Sequence, residues 1–526
     1  MKKYIGTLLI ISFPVLVIAG APDWVDNFGK TDRYPKEIYL TGFGVAALTQ
    51  DNNKTKCMNI SVQNAQKELI NKIYLTVKSH TKMRTEEGKG QYSQIYSSVT
   101  QSASQVQLWG SEVEKFYDKK SRTAYALVYV KRQKIIDHYN LIKKRLQNDI
   151  SHYYNLGKRA QQQGNESLAL KYYLHCYPLF NKLFRAWGII HASSSNMIHT
   201  FAELEDSEIE NDYVKISELN RMVRKLRQQP IKNIKDVTLF MYNCFQDQLK
   251  NTTGRLIILP FTFQNTGMSS NFASFLHHNL KSNISCLPGF SMRGSSSLEN
   301  INSDIYLTDF KTADSLFFLK GTYWQQRDSI EIMAEICNQQ DEIAASMNIM
   351  IPQSMVNKTG HEITPENFSQ ALKEQKIFSQ GEINNGGIFL DAWTNKGRSG
   401  VVFYDDEIMN IFLRVNIPCY IRLMYHLANG VRTVLLDNYF IDRSYVNTAY
   451  KIPDKFVCDQ PYGVEVLQIF AQTKPFKKID TELVDGYKIL KEDLHTFLSK
   501  TRGMKRIEYS EVLKTEERIV ITTMEK

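Results

Sequence analysis

The chain has 526 residues, 43% hydrophobic and 11% aromatic, with 28 Tyr and 27 Phe. That composition excludes long disorder, and the length exceeds what one core sustains, which predicts three or four domains. The formal charge of +10 is spread out, with modest clusters such as Lys143–Arg145 and Arg221–Arg227, which read as solvated helix faces in preference to a nucleic-acid patch.

Lys2 and Lys3 precede a charge-free run, Tyr4–Ile18, followed by the small residues Ala19, Gly20 and Ala21. This pattern predicts a signal peptide over residues 1–20 and an exported mature chain. The run is shorter than the roughly 20 residues of a spanning helix, and Asp23 and Asp26 follow without a stop-transfer cluster. Cleavage fits after Ala19 or Ala21, and Pro22 favours the earlier bond; an uncleaved signal anchor is the competing reading. No cysteine stands at the junction to accept a lipid.

Residues 21–132 predict a small α/β domain. A strand opens at Glu37–Val45, which Gly42 and Gly44 break where the backbone turns or meets a neighbour. A helix over Cys57–Ile73 rests on Ile60, Ala65, Leu69 and Ile73, and a strand follows at Tyr74–Lys78. Gln91–Gln107 reads as a polar helix, and Trp109–Tyr117 with Thr123–Val130 as a hairpin around Asp118–Ser121.

Residues 133–235 read as helical. Tyr154–Ala160 and Leu168–Tyr173 look like one tetratricopeptide-type hairpin, which alone cannot bury its faces and so serves as a spacer packed on neighbours. Glu203–Asp212 reads as a loop. Residues 250–355 predict an α/β domain: a buried strand Arg255–Phe263, a turn Asn265–Gly267, and a helix Ser269–Leu280 capped by Ser269 or Ser270. A Ser-rich loop Gly294–Ser297 then leads to strands Ala313–Tyr323, Ser329–Cys337 and Ala344–Ile351.

Residues 356–384 form a linker with a helix over Glu362–Gln380. Residues 385–526 read as a β-sandwich-like domain with strands Ile388–Thr394, Ile408–Val415, Cys419–His426, Val431–Leu436 and Val464–Ala471. Asn429-Gly430 makes a tight hairpin turn, and a helix Asp485–Lys500 and a strand Ile519–Thr523 close the chain. The fold class is therefore multidomain α+β.

The seven cysteines, 57, 176, 244, 286, 337, 419 and 458, are scattered singly and read mostly as small buried hydrophobes. Cys419 and Cys458 share a domain and are the pair to test. The five tryptophans, 24, 109, 187, 324 and 393, read as core or near-core residues. HExxH, GxSxG, Walker and CxxC motifs are absent from the sequence. Gly42-Phe-Gly44 with Ala47 begins a dinucleotide fingerprint, but a strand-end turn explains these glycines better. His277 and His278 are adjacent and diverge on a helix, so a surface or capping role is favoured over a shared metal. Asp405-Asp406-Glu407 lacks EF-hand spacing and reads as a solvated turn. No catalytic, cofactor-binding or metal-binding residue is assigned, and paired carboxylates from distant strands stay open.

Three stretches carry resemblances. Pro22-Asp-Trp24, Tyr34-Pro35 and Tyr39–Gly44 resemble the opening of the Lpp-twenty lipoprotein family, a fold shared with the N-terminal domain of the flagellar protein FlgT. The acceptor cysteine of the lipoproteins is missing, so their anchoring does not carry over. Arg255–Pro352, with Leu-Pro-Phe ending a strand and Lys-Gly-Thr-Tyr in a later one, resembles the α/β domain of TolB, CsgG, FlgO and LpoB. Gly387–Pro475 resembles an uncharacterised β-domain family of secreted bacterial proteins through Tyr420–Leu423 and Pro461-Tyr-Gly463, with Asp406-Glu407 where members carry Gly-Glu.

Together the resemblances imply a non-enzymatic envelope scaffold or secretion accessory protein. Its expected location is periplasmic or outer-membrane-associated, with envelope proteins or cell-wall polymer as partners and a peripheral membrane contact compatible with its charge. No cofactor and no nucleic acid is expected. The alternatives are a regulator of cell-wall synthases and an envelope hydrolase with a site between domains.

Overall fold

A computed structural model describes residues 21–48, 53–86, 108–194, 209–264, 266–292, 316–379, 387–484, 486–492 and 512–526. It is a mixed α+β molecule with several separate sheets. The leader expected over residues 1–20 and the features expected at Gln91–Gln107, Gly294–Ser297, Asn265 and residues 203–208, 313–315, 380 and 493–500 lie outside the described residues.

The first unit begins with a short helix α1 (Asp23–Asp26) and builds an antiparallel sheet from β1 (Tyr39–Ala47), β2 (Glu112–Asp118) and β3 (Thr123–Lys131), with β3 central. One face is covered by α2 (Lys54–Glu86). The strand expected at Tyr74–Lys78 is part of α2: once a helix is nucleated upstream, propagation outweighs the β-propensity of Tyr74-Leu-Thr-Val77. Nor do Gly42 and Gly44 break β1. A Cβ at Gly42 would fall 2.1 Å from the Ala65 carbonyl oxygen and one at Gly44 2.1 Å from that of Ser61, so both glycines let α2 lie against the strand.

Two long helices follow, α3 (Arg132–Gln162) and α4 (Glu166–Ser193), with Gly157 seated against the Tyr173 ring where a Cβ would come within 2.5 Å. Next come α5 (Ile209–Arg227) and α6 (Ile234–Gln248), the latter opened by an Asn233–Asp236 capping box. Residues 209–212 of the expected loop are helical, because Glu210 and Asp212 suit the positive end of a helix.

The middle sheet holds β4 (Gly254–Ile258), β5 (Thr262–Phe263), β6 (Phe290–Met292), β7 (Leu316–Gln325), β8 (Ser329–Asn338) and β9 (Ile343–Pro352). Its order is β6-β4-β7-β8-β9, with β5 also on β7. The single strand expected over Arg255–Phe263 is split because Pro260 has no N–H for the ladder. Helix α7 (Asn271–Ile284) is capped by Ser270. The helical hairpin packs on its neighbours, as its unburied faces require: Tyr173, Phe180 and Phe184 share one core with Phe245, Leu276 and Ile332. Arg185, buried in α4, reaches Glu335 on β8 at 2.9 Å and the Asp341 carbonyl at 2.9 Å.

After α8 (Gln353–Asn357), α9 (Phe368–Ser379) starts later than Glu362, past Pro365. The last unit has three short strands, β10 (Leu390–Thr394), β11 (Val401–Tyr404) and β12 (Ile408–Met409), then β13 (Ile411–Val415), β14 (Cys419–His426) and β15 (Arg432–Ile441). It continues through β16 (Tyr450–Lys451), β17 (Phe456–Val457), β18 (Gly463–Gln472), β19 (Thr481–Val484), β20 (Tyr487–Leu490) and β21 (Lys514–Met524). Two sheets, β10-β13-β16 and β11-β21-β18-β14-β15-β20-β19, face each other across a core of Leu390, Leu413, Leu423, Ile469 and Ile521. Where a helix was expected from Asp485, Tyr487–Leu490 is a strand paired on both sides, with β15 and β19. All seven cysteines are free, so Cys419 and Cys458 do not pair; burial pushes both thiols up to about 12. Trp24, Trp187, Trp324 and Trp393 are buried, but Trp109 is 61% exposed and not a core residue.

Candidate interaction site between the first and last units

The strand β1 has two occupied faces. Its glycine face takes α2, and its other face carries Phe43 and Val45 into the core of the last unit beside Leu390, Ile417 and Cys419. Trp24 and Val25 of α1 enter the same core. An N-terminal strap is held in place by Glu114, whose carboxylate accepts from the Trp24 indole at 2.7 Å, the Tyr34 hydroxyl at 2.6 Å and the Arg33 guanidinium at 3.0 and 3.1 Å. Burial would raise the Glu114 pKa, but these donors more than offset it and hold it below the usual carboxylate range.

Asn416, 1% exposed, is the polar tie of the junction. Its amide donates to the Val45 carbonyl at 2.6 Å and to that of Gly387 at 3.3 Å, and its side-chain oxygen accepts from the Phe389 N–H at 2.7 Å. Asn64 of α2 donates to the same Val45 carbonyl at 2.9 Å. Beside these groups opens a cleft of about 70 Å³, lined among others by Asn64, Glu68, Lys72, Phe389 and Glu516. Glu68 accepts from the Phe43 N–H and pairs with Lys72 at 2.9 Å, and Lys72 donates to the Thr41 carbonyl at 3.0 Å.

A charged cluster borders the cleft. Asp391, buried on β10, receives Arg398 at 3.0 Å and Arg414 at 3.1 Å. Half-buried Lys67 of α2 sits 5.0 Å from the Phe389 ring centroid. Burial first, and the like charge of Arg414 second, lower the Lys67 amine to about 8, opposed by Asp391. Such an amine is partly neutral in mildly basic solution, which suits a nucleophile in a roomy site. The cleft is smaller than the roughly 300 Å³ at which pockets for drug-sized molecules begin, and its lining side chains join the first unit to the last.

The other candidates fall elsewhere. Gly42 and Gly44 have α2 where a pyrophosphate would lie. His277 is half-buried with Nδ1 3.2 Å from the Leu259 carbonyl, its pKa lowered mainly by burial, while His278 is exposed. Asp406 takes a left-handed φ of 61° in the turn after β11 and pairs with Lys526 at 3.0 Å; Glu407 accepts from the Tyr404 N–H at 2.7 Å and pairs with Lys396. These carboxylates therefore turn to lysines and backbone and do not converge. Among the described residues no group of three or more His, Cys, Asp or Glu is placed to hold a metal ion, and no helix is long and apolar enough to cross a membrane. Sequence reasoning missed Asn416 and Lys67; each acts across hundreds of residues, and neither carries a local signal.

Residues 22–131 match the family described as LPP20 lipoprotein, which supports an envelope-associated location. No curated protein matches the chain.

Proposed function

We propose that this chain is a non-enzymatic scaffold or assembly accessory protein of the cell envelope, exported by its leader and working by binding envelope partners. The observation that carries the reading is the LPP20 lipoprotein match over a unit built into the rest of the chain through a shared core. A unit fixed in this way brings the other surfaces of the molecule along wherever it is located. Free sheet edges suit such a role, since an edge strand offers unpaired N–H and C=O groups to an added strand. Among the described residues β19 is an edge of the large sheet, with Leu483 and Val484 exposed.

The resemblances of the middle unit to the TolB and LpoB type and of the last unit to a secreted β-domain family belong to the same proposal. They favour assembly work over catalysis. The test is capture of crosslinked partners from intact cells, with the chain tagged at Lys526. Specific envelope proteins or wall polymer are expected, and recovery of cytosolic proteins alone refutes the reading.

A further inference from the structure

The carboxyl of Glu465 is buried at one end of the last unit among neutral groups. It lies on β18, 3% exposed, and points to the same side as Leu467 and Ile469 of the core. Its two oxygens accept from the Tyr425 hydroxyl of β14 at 2.8 Å and from the Ala428 N–H of the β14–β15 turn at 3.2 Å. Thr523 of β21 adds a third neutral donor. The other titratable groups at this end are acids: Cys458, Asp459 and Tyr462 before β18, and Asp405 and Glu407 after β11. Lys396 and Lys526, the lysines beside them, pair with Glu407 and Asp406. His426, next to Tyr425, turns to Gln468 on the opposite face.

Asn367, immediately before α9, grips the same turn from its other side. Its amide donates to the Ala428 carbonyl at 2.9 Å and to the Val464 carbonyl at 3.1 Å, and its side-chain oxygen accepts from the Val464 N–H at 2.8 Å. Ala428 thus has its N–H on Glu465 and its carbonyl on the residue that opens α9. The helix continues onto both neighbouring units: Ala371 packs with Met268 and Val464, Gln375 donates to the Thr266 carbonyl at 3.1 Å, and Phe378 enters a core with Met424 and Phe470.

We propose that Glu465, Ala428 and Asn367 form a pH-responsive clamp: protonated Glu465 holds the turn and keeps α9 docked, and ionised Glu465 opens the turn and loosens the start of α9. This inference goes beyond the envelope reading and does not depend on it. A buried carboxylate served only by neutral donors recovers little of its lost hydration, so burial dominates and raises the group to about 7. Once the turn opens, water solvates the carboxylate and the group returns to its ordinary 4.5. The closed clamp is therefore fully stabilised below pH 4.5, and opening becomes easier as pH rises to about 7. Because α9 touches both the middle and the last units, its loosening changes how the two are held together.

Hydrogen–deuterium exchange with mass spectrometry on the purified chain reads the opening, with rates at about pH 6 and about pH 8 divided by the intrinsic amide rates. In Leu427–Val431 and Asn367–Ser379 the corrected exchange is expected to rise about tenfold between these values, the shift that a carboxyl moving from about 7 to 4.5 on opening imposes. Tyr39–Ala47 of β1 is expected to stay level. Glu465→Gln, which keeps the size of the side chain and cannot ionise, is expected to flatten the rise in both peptides. Asn367→Ala is expected to uncouple them, so that Leu427–Val431 keeps its pH response while Asn367–Ser379 exchanges fast at both values. Near-ultraviolet circular dichroism checks that each variant keeps its fold. Level exchange in both peptides of the parent, an equal rise in Tyr39–Ala47, or a rise that persists in Glu465→Gln overturns the proposal. The comparison of peptides within the parent decides even where a variant folds poorly.

Discussion

Replacing Asn416 by Ala tests whether the first and last units form one cooperative body. The substitution deletes the donations to the Val45 and Gly387 carbonyls and leaves the Phe389 N–H without its side-chain acceptor. Val45 keeps Asn64, so its carbonyl is not orphaned. At about 0.5–1.5 kcal/mol net for each hydrogen bond, and more for the stranded Phe389 N–H, the loss comes to about 3 kcal/mol. A core of this size shifts by about 2–4 °C per kcal/mol, which gives a fall in Tm of about 6–12 °C. Differential scanning calorimetry reads it, with Asn64→Ala as a milder control that removes one bond from a carbonyl still served by Asn416. A Tm within 2 °C of the parent, on the scale of about 2–4 °C per kcal/mol, or a larger effect of Asn64→Ala, refutes the assignment of Asn416 as the tie.

Arg185→Met is expected to cost about 3–5 kcal/mol in chemical denaturation because it strands the Glu335 carboxylate, whereas Arg185→Met with Glu335→Leu recovers most of that loss. Burial raises the Glu465 carboxyl to about 7 against the donors Tyr425, the Ala428 N–H and Thr523. The folded chain therefore holds this proton longer than the unfolded chain, and the stabilisation is complete below pH 4.5 and declines as pH rises to about 7. Subtracting the pH profile of Glu465→Gln from the parent isolates a slope worth about 3 kcal/mol across that window. Gly44→Val is expected to displace α2 from β1 and lower stability by more than 2 kcal/mol, about the scale of severe overpacking, since even a Cβ there meets the Ser61 carbonyl at 2.1 Å; an unchanged urea midpoint contradicts the packing role of that glycine.

Local pattern made much of the fold legible. Cys419–His426 has the expected ends, and Asn429-Gly430 announces the hairpin to β15. Ser270 was legible as a cap because its hydroxyl accepts from the third N–H of the helix. Misreadings arose where propensity and context compete, as at Tyr74–Lys78 within α2 and Tyr487–Leu490 in the large sheet. The placement of β21 between β11 and β18 depends on pairings of distant segments that no spacing encodes. The candidate junction was illegible for the same reason: Lys67 approaches the Asp391 cluster, and Asn416 approaches Val45, only after the sheets have packed. Trp109 was misplaced because an aromatic residue beside a strand reads as core until its neighbours are known.

The most direct test of the central claim is fractionation of cells carrying the chain tagged at Lys526, with the mass of the recovered form measured alongside. An envelope-associated location predicts recovery with periplasm or membranes, in a form shortened by the leader that ends at Ala19 or Ala21. Recovery of the full-length chain in the cytosol contradicts the account.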